Sequence, residues 1–135
     1  MDKAIEQQRA RSINRRLPTG LRDLGFKKGA GGSCVRVIDG HLCRVGLQKF
    51  VHRPAFRVIL SFEPGKDDGE DYVVEFSDLY TYKDSPSGRK YNFGIRWGDD
   101  AVERCIAEIH DFVENVGLAW FAKQARGFAV NGSST

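Results

Sequence analysis

Several absences bound this chain before any pattern in it is read. No apolar run approaches the ~20 residues needed to span a bilayer, so no membrane-spanning helix is expected. The opening residues, Met1 to Gln8, hold no apolar signal core, and the expected location is cytoplasmic with no membrane role. Cysteine is scarce and odd in number. Cys34, Cys43 and Cys105 form no CxxC pair and have no histidine at zinc-ligand spacing. No metal and no cofactor is therefore expected, and in a reducing compartment the thiols read as small apolar fillers.

Catalytic and ligand signatures are missing as well. The glycine-rich stretch Gly29-Ala30-Gly31-Gly32-Ser33 follows its lysine pair and leads to no Gly-Lys-Ser/Thr, so it reads as a loop. The acidic turn from Pro64 to Asp71 lacks the spacing and closing glutamate of a calcium loop. An enzyme needs a nucleophile, a base or a metal set in convergent positions. His41 and Cys43 share a strand face, but no third group is identifiable that would orient them. His110, beside Ile109 on a helix, is expected to face solvent, and His52 reads as a loop residue.

What is present is an ordinary globular composition, 41% hydrophobic and 29% charged. At 135 residues the chain suits one domain, burying roughly two-thirds of its unfolded surface. The net charge of +3 hides an asymmetry: residues 1–28 carry eight Lys or Arg against three acids, a net of +5, leaving −2 for the rest. A basic helix of this kind suits an acidic protein partner. Nucleic acid is disfavoured, because the total charge is small and the basic residues lack interleaved aromatics.

The pattern along the chain specifies an α+β fold. Ile5, Ile13 and Leu17 recur at multiples of four, a narrow helical stripe. Pro18 is expected to break that helix, and a short turn then ends at Gly25. Leu21, Leu24 and Phe26 are expected to bury against the sheet. Asp39-Gly40 between two apolar runs is a strong hairpin signal, pairing Ile38 with His41 and Arg36 with Cys43. Phe56, Val58, Leu60 and Phe62 alternate with Arg57, Ile59 and Ser61, which gives a strand with one buried face. Further strands are expected at 72–76, 79–82 and 91–95. Asp99 or Asp100 should cap a second helix, with Glu103 completing a capping box. Its apolar face comprises Val102, Cys105, Ile106, Ile109, Phe112, Val113 and Val116, and Gly117 should stop it. Together these give a domain over 1–126 with a flexible tail at 127–135. It has one antiparallel sheet of about five strands, and the N- and C-terminal helices pack on one face.

Three segments carry a resemblance to a known family. They are Leu24-Gly25-Phe26-Lys27-Lys28 after a helix, Leu47-Gln48-Lys49 after a hairpin, and Phe56-Arg57-Val58-Ile59-Leu60. With Ala119-Trp120-Phe121 after the last helix, the chain over residues 1–125 resembles the bacterial domain of unknown function family 4304. The stretch from Tyr72 to Trp97 departs from that pattern, and Phe50 stands where a small polar residue is usual. The resemblance implies a fold and no activity.

Two function classes follow. The first is a non-enzymatic protein-interaction domain, for example of the immunity type, meeting an acidic partner. Its contacts would come from Gln48, Lys49, Arg57 and Arg96 on an open sheet face, and from Arg15 and Arg16 on the basic helix. The second is a small enzyme or ligand binder using the polar sheet face around Gln48 and Arg57. The aromatics from Tyr72 to Trp97 read mostly as core or cross-strand pairs, with a few exposed ones suited to an interface. The oligomeric state is not legible.

Overall fold

Asp2 begins the first element. Its carboxylate accepts the Ala4 N–H at 2.7 Å, an N-cap, and helix α1 runs Lys3–Gly20. The computed structural model describes residues 2–63, 74–76, 91 and 93–133. Helix α1 passes through Pro18, where the sequence predicts a break. Proline sits in the last turn, so it removes one terminal hydrogen bond, while the Leu21 N–H still reaches the Leu17 carbonyl at 3.0 Å. A single 3₁₀ turn, Arg22–Leu24, ends at Gly25 with φ 86°, the left-handed cap that glycine supplies.

Strands β1 (Lys27–Lys28), β2 (Cys34–Ile38), β3 (His41–Lys49), β4 (Phe56–Glu63) and β5 (Val74–Phe76) pair in sequence order in one antiparallel sheet. Asp39 and Gly40 both take positive φ, 52° and 80°, the tight turn whose twist matches its strands. The expected pairs Ile38 with His41 and Arg36 with Cys43 form. Strand β3 is one nine-residue element that continues through Val45 to Lys49. It pairs with β4 from Leu42–Glu63 to Lys49–Phe56.

Among the described residues of 91–95 the expected strand does not form: Phe93 has φ 49°, which turns the chain out of the extended region, and of these residues only Gly94 bridges, to Ala55. The expected strand at 79–82, the acidic turn at 64–71 and the first part of the strand at 72–76 lie outside the described residues.

Helix α2 spans Ala101–Phe112. The expected capping box is not made: Asp100 has ψ 14° and its carboxylate pairs with Arg104 at 3.2 Å, while Glu103 takes Arg16 at 2.9 Å. Nor does Gly117 stop the helix. The chain passes through a π-helical stretch, Val113–Gly117, into helix α3, Leu118–Ser133. Helix α3 thus continues past residue 127, where the sequence predicts a loose tail.

Phe56, Val58, Leu60 and Phe62 are buried in one core with Ile13, Leu17, Ile109, Phe112, Val113 and Phe121. Leu21 and Phe26 are buried with them and Leu24 is half-buried. Among the described residues no helix is long and apolar enough to cross a membrane.

Candidate interaction site

The chemistry concentrates where the β3–β4 connection, the segment 94–98 and the two helices α1 and α2 meet. Each wall is tied down. Lys49 sends its ammonium into the β3–β4 loop, donating to the Phe50 carbonyl at 2.6 Å and the Arg53 carbonyl at 2.8 Å. The same ammonium meets Glu6 of α1 at 3.5 Å. The Ile95 N–H donates to the Pro54 carbonyl at 2.8 Å, and Arg9 of α1 donates to the Ile95 and Arg96 carbonyls at 2.8 and 3.1 Å. Arg104 of α2 holds the Trp97 carbonyl from the other side. Gly98 completes the clamp with φ 86°. The positive φ favours glycine there, and a β-carbon, 2.6 Å from the Asp100 carboxylate, would push that exposed side chain aside.

This scaffold displays Trp97 outward, 68% exposed, with the Arg96 guanidinium 4.6 Å above its ring. Beside it opens a cleft of about 710 Å³ lined by His52, Arg53, Arg96, Trp97, Arg104 and Glu108, among others. Arg53 packs 4.9 Å over the Phe50 ring. A smaller hollow of about 260 Å³ carries the surface on to Asp2, Ile5 and Arg9. A third links His52 and Val51 to Lys3 and Glu6. Ile5, Val51 and Trp97, three of the exposed large apolar side chains, therefore border one end of the molecule. Arg104 is engaged by Asp100. The Glu108 carboxylate is directed onto the Phe93 N–H at 2.6 Å, supporting its positive φ. Among the described residues neither Arg53 nor Arg96 has a carboxylate partner.

The residues singled out in the sequence do not form one group. Gln48 and Arg57 are cross-strand partners, with Gln48 exposed and Arg57 half-buried, its guanidinium 5.5 Å over Phe50. Lys49, one residue on, falls on the opposite sheet face, because side chains alternate along a strand, and it is used in tying the loop to α1. Arg96 belongs to the cleft, and Gln48, Lys49 and Arg57 do not line it. Arg16 is bonded to Glu103, whose carboxyl that bond holds below its usual range. Arg15 is exposed on α1. His110 does not stand free in solvent: its Nε2 meets the Asp23 carboxylate at 2.8 Å, joining α2 to the 3₁₀ turn.

His41 and Cys43 do not form an activated pair. The His41 ring packs 5.0 Å from Phe62, and the Cys43 thiol points to the His41 carbonyl at 3.9 Å. Burial pushes the Cys43 thiol up to about 11, the reverse of what a nucleophile needs. Among the described residues no three His, Cys, Asp or Glu side chains group as a metal site.

Sequence reasoning missed Arg9, Arg53 and Arg104, and did not single out Trp97 among aromatics read as mostly core with a few exposed. The available signal was Arg96-Trp97-Gly98 directly before the Asp99-Asp100 helix start: an aromatic beside a turn glycine, outside any alternating run. Compared with known proteins, the chain matches no family model, no curated protein and no solved structure.

Proposed function

We propose that this protein is a non-catalytic protein-interaction domain, and that the Trp97 end is where it meets an acidic partner. The reading includes kinship with the domain of unknown function family 4304, on the residues quoted above. It also takes the helices to pack on one face of the sheet, supported by the burial of Phe56, Val58, Leu60 and Phe62 at alternate positions. The observation that carries the interaction reading is the clamped display of Trp97. Two arginines from two helices and a glycine with φ 86° hold a loop whose outermost side chain is an exposed tryptophan under a guanidinium. Tryptophan and arginine are the residue types that dominate binding energy at protein interfaces. The cleft beside them is open rather than enclosed, which suits a partner's surface better than a buried metabolite.

Reversing the two arginines lacking carboxylate partners tests the reading. The full chain and its Arg53→Glu/Arg96→Glu variant are each used as bait in extracts of the source cells. The partner recovered by the native chain is expected to be lost from the variant and retained by Arg15→Glu. Equal recovery by the native chain and the double variant would contradict the site.

A further inference from the structure

Granting the interaction reading above, we infer that the cleft receives a short acidic segment that presents side-chain carboxylates beside a bulky apolar residue, and not an added β-strand. Strand addition needs free backbone carbonyls and N–H groups along an edge. Along 95–97 the carbonyls are already taken: Ile95 and Arg96 by Arg9, Trp97 by Arg104. The Ile95 N–H is taken by Pro54. Recognition therefore falls to side chains.

Two kinds of group remain unsatisfied there. Arg53 and Arg96 each lie over an aromatic ring, at 4.9 and 4.6 Å, with no carboxylate partner among the described residues. A guanidinium stacked this way keeps its N–H edge outward, the geometry that takes a carboxylate in two parallel hydrogen bonds. The exposed indole of Trp97, which with Arg96 lines both the cleft and the hollow at Ile5, is an apolar seat beside these cations. Carboxylates next to a bulky apolar residue match that arrangement. A polyphosphate chain does not. Nucleic acid is held by a run of cations that neutralises several phosphates, whereas of the four arginines lining these hollows Arg104 is paired with Asp100 and Arg9 is bound to backbone carbonyls, and Asp2 and Glu108 line them too.

The test titrates the full chain by calorimetry with the capped peptide Glu-Glu-Leu-Glu-Glu, its glycine-centred counterpart, and a short thymidine oligomer. The leucine peptide is expected to bind about tenfold more tightly than the glycine peptide, and to weaken as salt rises. Trp97→Ala and Arg53→Gln/Arg96→Gln should each weaken it about tenfold or more, with unfolding midpoints unchanged. Equal binding of the two peptides, or tighter binding of the oligomer, would overturn the inference. So would no peptide binding at millimolar concentration. If the charge-reversed bait still loses its partner in that last case, the segment chemistry fails and the interaction reading stands. If the bait keeps its partner, both fail.

Discussion

Cys34, Cys43 and Cys105 are fully buried, and desolvation pushes their thiols up to about 11, 11 and 12. A thiolate, not a thiol, reacts with disulfide reagents, so the folded protein is expected to label at none of the three at pH 8 and at all three in denaturant. Fast labelling of any one in the native state would show an opening there. The sign of the pH dependence follows. The unfolded chain ionises these thiols near the ordinary value of 9.0, below the folded values. Their contribution is whole below pH 9 and is lost as pH rises through about 11 to 12. Unfolding midpoints should fall across that alkaline range and fall less in Cys105→Ala. Gly98 is the second residue whose chemistry is dictated locally. Gly98→Ala should cost ~1–2 kcal/mol from the left-handed backbone alone, with Asp100 also displaced from Arg104. Unchanged stability in urea would mean that the loop is not held as described.

The elements show why part of the fold is legible in sequence and part is not. The hairpin at Asp39-Gly40 and the buried face of β4 follow from rules that act within a few residues: two positive-φ positions and an alternation that Ser61, buried between Leu60 and Phe62, interrupts. The misjudged boundaries are those decided by partners distant in the chain. Pro18 and Gly117 look like stops, yet the first sits where only one bond is lost and the second lies inside a continuous helix packed against Leu60. A β-carbon at Gly117 would stand 3.7 Å from both Leu60 methyls, an ordinary contact. Gly117→Ala should therefore be neutral or stabilising by up to ~1 kcal/mol, as read by denaturant unfolding, and a loss larger than that would mean a tighter fit. Leu60→Ala and Ile109→Ala remove fully buried side chains of one core and should each cost ~2–5 kcal/mol. Changes below about half a kcal/mol at both would contradict the packing of helix on sheet.

At the scale of the whole molecule, part of the charge asymmetry of the sequence is used within the fold. Residues 1–28 hold a net +5, but Arg16 is committed to Glu103 and Arg9 to backbone carbonyls. The two cleft guanidiniums with no carboxylate partner among the described residues come from segments that sequence distance keeps apart, and only the tertiary fold brings Arg53 and Arg96 to one cleft. Gln48, Lys49, Arg57 and Arg96 were legible as polar residues near strands. The opposite faces of Gln48 and Lys49 follow from alternation along β3, whereas the pairing of Gln48 with Arg57 and the placing of Arg96 on a separate loop depend on register and on the turn at Phe93. The most direct test of the central claim compares two exposed apolar side chains at opposite ends of β3. Trp97 stands by the β3–β4 connection, and Val37, 62% exposed and paired with Leu42, stands by the Asp39-Gly40 turn at the other end of the nine-residue β3. Partner recovery from source-cell extracts is measured with the native chain, Trp97→Ala and Val37→Ser as baits. The account expects recovery to be lost with Trp97→Ala and kept with Val37→Ser; the opposite pattern, or equal recovery by all three, would contradict it.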